Sequence, residues 1–165
     1  VVILPTVPHL GYPPFYDANN PALLESEIQT YTRLLGTAKQ HLEQQKWSAA
    51  EKTLKSALEI DQTHATAWFW LAQSLDEQGR FTEMLNAARH AHLLDISRKR
   101  SLPDYFKVAK TVCDELGCIA DDAMPSLEKM LKADGLQVYD RLYGDHEHLT
   151  PEGCAWIGQR FAAHL

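Results

Sequence analysis

Apolar residues in the first half of the chain recur every three or four positions. Leu24, Ile28, Tyr31, Leu35, Ala38 and Leu42 fall on one face of a helix. Asn20-Pro21 ahead of them predicts its start, a capping side chain followed by proline preset for the first turn. A second helix is expected over Trp47, Ala50, Leu54, Ala57 and Ile60. A third carries Trp68, Leu71, Ala72 and Leu75 and ends at the turn residue Gly79. A fourth carries Phe81, Met84, Ala88, Ala91 and Leu94. The two ends read differently. Val1 to Leu4 is apolar and β-branched, a short buried strand. Pro5, Pro8, Pro13 and Pro14 forbid regular structure, so residues 5 to 20 are expected to be a loop, in which Tyr12, Phe15 and Tyr16 pin it to a surface or, less commonly, line a pocket. Beyond an inter-helix turn at Arg98-Lys99-Arg100, Pro103 opens a helix whose inner face is Phe106, Ala109, Val112 and Cys113, and Gly117 closes it. Cys118 to Ala120 predicts a strand and Ser126 to Ala133 a short helix. Leu136 to Leu142 is irregular. Thr150-Pro151 starts a last helix with Cys154, Ile157, Phe161 and Leu165 as its core face.

The middle of the chain repeats itself. Trp47, Ala50, Leu54, Ala57, Ile60 and Asp61 recur 34 residues later as Phe81, Met84, Ala88, Ala91, Leu94 and Asp95. Small residues at Ala57 and Ala91 let helices approach closely, while Trp47 and Phe81 fill the wedge between units. This period and pattern resemble the tetratricopeptide repeat, a helix–turn–helix unit. About two repeats are expected over 34–95, the first imperfect, with Gln45 where the second has Gly79. Two units need a neighbour to cover them. The resemblance implies a peptide or protein ligand held in the groove of the array.

Composition narrows the options. The 165 residues hold 16 Lys+Arg against 22 Asp+Glu, a net charge of -6, which argues against binding a phosphate backbone. The longest apolar run, Ala67 to Ala72, is far short of a membrane span. Three cysteines without a C-x-x-C spacing exclude a zinc ribbon and read as buried thiols, which leans toward a reducing, cytoplasmic compartment. No nucleotide loop or metal-spaced cluster asks for a cofactor. The chain opens Val1-Val2-Ile3-Leu4 without Met or a charged leader, as expected of a piece cut from a longer protein.

The densest polar cluster is Gly144-Asp145-His146-Glu147-His148, followed by Leu149-Thr150-Pro151-Glu152-Gly153. An aspartate and a histidine three apart, ahead of a helix, suit the orienting acid and general base of a triad. The helix start should disfavour the charged form of His148 and keep it a neutral base. Asp145-x-x-His148 with Leu-Thr-Pro-Glu-Gly and an amphipathic C-terminal helix resembles the last block of the SGNH (GDSL-type) hydrolases. Some of these carry tetratricopeptide repeats within the hydrolase chain. The resemblance implies ester hydrolysis on an α/β/α fold, with His148 and Asp145 catalytic. The family's nucleophile lies in Gly-Asp-Ser, which does not occur here, nor does a Gly-x-Ser-x-Gly elbow. This chain alone is therefore expected to be inactive. Two alternatives stand beside the triad: a loop hydrogen-bond pair, and a metal held by Asp145, His146 and His148 without a second ligand cluster.

The expected architecture is mainly α: tetratricopeptide-like repeats flanked by short α/β segments that resemble the C-terminal part of an SGNH fold. Residues 1–20 form the strand and proline loop, 21–95 the helical region, and 96–165 the hydrolase-like segment. The expected function is the His/Asp portion of an SGNH-type esterase with repeats for recognition. The alternative is a repeat module for protein–protein interaction without catalysis. The expected partners are a missing N-terminal half or a partner chain covering exposed strand edges, a peptide or protein in the groove and, in the intact enzyme, an ester.

Overall fold

The computed structural model describes residues 1–3, 8–18, 20–97 and 105–165, with Ile3 described by its backbone alone. The expected positions of Leu4, Pro5, the Arg98–Arg100 turn and Pro103 lie outside the described residues. The protein is mainly helical and divides into two compact units, Val1–Tyr12 with Arg98–Leu165, and Pro13–Ser97.

The Pro13–Ser97 unit is four helices: α1 (Glu25–Glu43), α2 (Trp47–Ile60), α3 (Ala65–Asp76) and α4 (Phe81–Leu94). Helices α2 and α4 begin and end 34 residues apart, the period read from the sequence. Ala50, Leu54 and Ala57 of α2 and Met84, Ala88 and Ala91 of α4 are buried, so the repeated positions are the repeated core. Small residues there let α3 pack against both α2 and α4. Glu51, buried on α2, accepts from Lys55 and Arg80 at 2.7 Å and from Gln78 at 3.1 Å, tying α2 to the α3–α4 turn. The expected helix start at Asn20 is corrected. Asn20 Oδ1 accepts the Ala22 N–H in a local turn, and α1 starts at Glu25, where Glu27 accepts the Leu24 N–H at 2.8 Å. His92 of α4 is buried, 4% exposed. Exposed His90 stacks on Trp68 with ring centroids 4.7 Å apart.

The other unit opens with β1 (Val2–Ile3), which pairs in parallel with β2 (Ile119–Ala120). Its helices are α5 (Tyr105–Leu116), α6 (Met124–Asp134), α7 (Val138–Leu142) and α8 (Pro151–Ala162), with a 3-10 turn at Gly135–Gln137. The stretch expected to be irregular before Leu142 is thus helical. Leu127, Leu131, Val138, Tyr139 and Leu142 form the core beside Leu10. The ring of His9 stacks on Tyr139 at 4.6 Å. A methyl group on Gly11 would come within 2.7 Å of the Tyr139 ring, so only glycine lets the proline loop lie this close.

Three expectations fail in this unit. Cys113 and Cys118 form a disulfide across the Gly117 turn and Cys154 is exposed, so the cysteines are not three buried thiols. A bridge of this kind persists in oxidising surroundings, which removes the ground for a reducing compartment. On α5 only Cys113 of the expected inner face is buried, and Tyr105, Val108, Val112 and Leu116 are exposed. On α8 the buried residue is Gly153, while Cys154, Phe161 and Leu165 are exposed. Trp156 and Arg160 supply the contacts instead: Trp156 donates to Ser126 Oγ at 3.3 Å, and Arg160 pairs with Asp121 at 2.6 Å.

Candidate functional site

The loop carrying Asp145 and His148 is clamped at its base. Tyr143 and Leu149 form an antiparallel bridge, and Gly144 N–H donates to the His148 carbonyl at 2.8 Å. Thr150 then caps α8. Its Oγ1 accepts the Gly153 N–H at 3.1 Å and donates to the Arg141 carbonyl, while its own N–H donates to the Leu142 carbonyl at 3.0 Å. A methyl group at Gly153 would lie 2.1 Å from that Leu142 carbonyl oxygen. The Thr-Pro-Glu-Gly sequence therefore seats α8 directly on the end of α7 and fixes both ends of the five-residue loop.

Within the loop Asp145 organises everything that follows it. Its Oδ1 accepts the backbone N–H of Glu147 at 2.8 Å and of His148 at 2.7 Å. The His148 ring donates from Nδ1 to Oδ2 at 2.8 Å and lies 3.0 Å from Oδ1. An ionised carboxylate only accepts, so Nδ1 carries the proton, and in the neutral ring Nε2 holds the lone pair. The His148 side chain is 79% exposed, and among the described residues its ring partner is Asp145, with no serine on Nε2. The backbone bonds and His148 hold the Asp145 carboxyl well below the usual range. The Asp145 hydrogen bond and charge push the His148 imidazole up. This corrects the expectation that the helix start would keep His148 neutral: a carboxylate in direct contact outweighs a dipole end at a largely exposed ring. His146 turns the other way, its ring 5.6 Å from that of Tyr12. Among the described residues no three His, Cys, Asp or Glu side chains converge as a metal cradle.

The sequence did not single out a second polar cluster, in the repeats. A cleft of about 420 Å³ is bounded by Leu23, Ile28, Leu35, Tyr31, Asp61 and His64. Asp61, 4% exposed, accepts three hydrogen bonds at Oδ1, from Asn20 Nδ2, Thr63 N and Thr63 Oγ1. His64 Nδ1 lies 3.0 Å from Asp17 Oδ1, and Asp17 also accepts from the N–H and hydroxyl of Thr66 at 2.7 Å. Burial raises the Asp17 carboxyl, but these bonds outweigh it and hold the group below its usual value. The Tyr31 ring sits 5.3 Å from His64, and among the described residues its buried hydroxyl has no hydrogen-bond partner. Burial, with the Asp61 and Asp17 charges, pushes the phenol well above its ordinary range. The available signal was the repeat itself: Asp61 and Asp95 close equivalent helices, and both accept the N–H two residues on.

The tetratricopeptide repeat family model matches residues 41–83, from the end of α1 to the start of α4. No curated protein and no solved structure matches the chain. The repeat resemblance is therefore supported over that stretch, and none of the comparisons points to an SGNH relationship.

Proposed function

We propose that the helical region over residues 21–95 is a protein-interaction module that binds a peptide segment of a partner. The observation that carries this reading is the agreement of period and packing: in two successive helix pairs the second helices, α2 and α4, repeat at 34 residues, with the matching family model inside this region. Equivalent residues of the first helix in each pair, Thr32 with Thr66 and Lys39 with Gln73, remain wholly or partly accessible, so a bound peptide can reach them. The test is selection of peptides from a displayed random library on the whole chain, with the site mapped by amide shifts. Binding in the micromolar range that maps to α1 and α3 and falls at least about tenfold in Lys39→Glu/Gln73→Glu supports the module. Selected peptides that map elsewhere, or none at all, overturn it.

A second reading rests on the Asp145–His148 pair. We infer that these residues are the acid and base of a Ser-His-Asp triad for ester hydrolysis, as the SGNH resemblance implies. In that reaction a serine from outside these residues attacks the ester carbonyl, and His148 Nε2 takes its proton. Asp145 holds the tautomer through Nδ1 and stabilises the imidazolium. The raised His148 favours the protonated state that follows attack. The apolar row Tyr105, Val108, Val112 and Leu116, with β2 beside it, suits covering by further α/β elements. The chain alone should neither hydrolyse p-nitrophenyl acetate above an imidazole control nor take a fluorophosphonate label. A longer chain that includes a Gly-Asp-Ser block should do both, with His148→Ala costing roughly 10³-fold or more. Hydrolysis by the longer chain that is unchanged in His148→Ala would exclude this role.

A further inference from the structure

We propose that the cleft between α1 and the α2–α3 turn receives a basic side chain, lysine or arginine, from the partner of the repeats. This site presupposes the partner-binding reading and adds the chemistry the partner must present. Three independent features converge. The first is charge: Asp61 lines the cleft, Asp17 lies 3.0 Å behind the lining His64, and among the described residues neither carboxylate pairs with a lysine or arginine. Asp61 is nearly fully buried, and its three hydrogen bonds come from neutral donors to one oxygen. A buried carboxylate without a counter-charge is costly, and a cation delivered by a partner relieves that cost.

The second feature is the Tyr31 hydroxyl. Tyr31 is 5% exposed and lines the cleft, and among the described residues its hydroxyl has no partner. It stands in the field of both carboxylates. A phenol oxygen can accept from an ammonium or guanidinium N–H, and this pairs a group that is otherwise buried without a bond. The third is shape. Leu23, Ile28 and Leu35 give the remaining wall an aliphatic surface, and Ile28 is 41% exposed. An aliphatic stem with a charged tip is the form of side chain that fits apolar walls ending in acceptors. The volume, about 420 Å³, is ample for one such side chain.

The experiment uses the whole 165-residue chain, ¹⁵N-labelled. It is titrated with N-acetyl-lysine methylamide and with N-acetyl-norleucine methylamide, which has the stem without the charge. The lysine probe should give saturable shifts at Asn20, Tyr31, Asp61 and His64. The norleucine probe should bind about tenfold more weakly or less, and 0.5 M salt should weaken the lysine probe severalfold. Tyr31→Phe, which keeps the ring, should weaken the lysine probe about threefold or more. Asp61→Asn also disturbs the Asn20 and Thr63 contacts, so Tyr31→Phe carries the test. Equal binding of the two probes, shifts confined to other surfaces, or an unaffected Tyr31→Phe would overturn the site. Library peptides that bind along α1 and α3 with no basic preference would also overturn it, while leaving the interaction module standing. Lysine-probe binding at the cleft with no peptide bound anywhere would do the reverse.

Discussion

Glu51 offers the sharpest check on how the repeat unit is held together. It is buried on α2, its side chain 11% exposed, and three donors converge on it: Lys55, Arg80 and Gln78. Burial alone would raise its carboxyl. The hydrogen bonds from Lys55, Arg80 and Gln78 outweigh burial and bring it from 4.5 down to about 2. That difference corresponds to roughly 3 kcal/mol of stability at neutral pH. The sign follows from the depressed value. The contribution is complete above the unfolded-state value and fades as pH falls toward the folded one, leaving about 1 kcal/mol at pH 2.5. Glu51→Gln keeps the shape and an acceptor but loses the charge. Urea unfolding of both proteins at pH 7 and pH 2.5 should show the variant less stable by roughly 2–3 kcal/mol at pH 7, with the gap narrowing to about 1 kcal/mol or less at pH 2.5. Comparing the pair at each pH removes the titration of the other carboxylates. A gap that stays constant across this range would refute the ion-pair account and leave only packing at α2 and the α3–α4 turn.

Gln45 takes the left-handed conformation, φ 54°, that its repeat counterpart Gly79 takes at φ 69°. Gln45→Gly should therefore raise stability by about 0.5–1 kcal/mol in the same urea assay, and Gly79→Ala should lower it by a similar amount. The Cys113–Cys118 bridge closes a short loop, so Cys113→Ser/Cys118→Ser should cost about 2 kcal/mol, and a thiol assay of the unfolded, unreduced protein should find one free cysteine. The His148 imidazole should titrate by NMR above its ordinary value of 6.5, and Asp145→Asn should bring it back toward that value. A His148 midpoint at or below 6.5 would remove the Asp145 contact from solution.

The repeat half was legible because its signal is redundant. Each helix repeats its core positions, and the pairs Ala57/Ala91 and Leu54/Ala88 mark the same buried faces. Helix starts were less legible. Asn20-Pro21 has the composition of a cap, yet Asn20 spends its side chain on a turn and on Asp61. The faces of α5 and α8 were misread for a related reason. Periodicity identifies an apolar stripe but not whether an element lies against it, and Val108, Leu116 and Phe161 are exposed despite their spacing. The disulfide was missed because a spacing of five residues fits no familiar motif; the Gly117 turn, φ 70°, brings the two sulfurs together. Asp145 and His148 were found because their partners are local. The cleft around Asp61 was not, since Asp17, Tyr31, Asp61 and His64 meet only after α1 and α2 fold back.

The two histidine–aspartate pairs show how burial, rather than the pair itself, sets what such a group can do. Both place an aspartate oxygen against an imidazole Nδ1, at 3.0 Å for Asp17–His64 and 2.8 Å for Asp145–His148. Both aspartates also take backbone N–H groups, Asp145 from its own loop and Asp17 from Thr66 at the start of α3, so each carboxylate is held in place beside its ring. In the repeats the His64 side chain is 20% exposed and its ring faces Tyr31, which leaves it as part of a wall. In the C-terminal loop the His148 side chain is 79% exposed, and its only ring partner among the described residues is Asp145. A wall of acceptors suits recognition of a donor that arrives and stays. An exposed ring with a fixed tautomer suits proton transfer to a group that arrives and reacts. One pairing of residues thus supports the binding reading in one unit and the catalytic reading in the other. Tyr31→Phe and His148→Ala separate them, because each substitution removes a group that only one of the two readings uses.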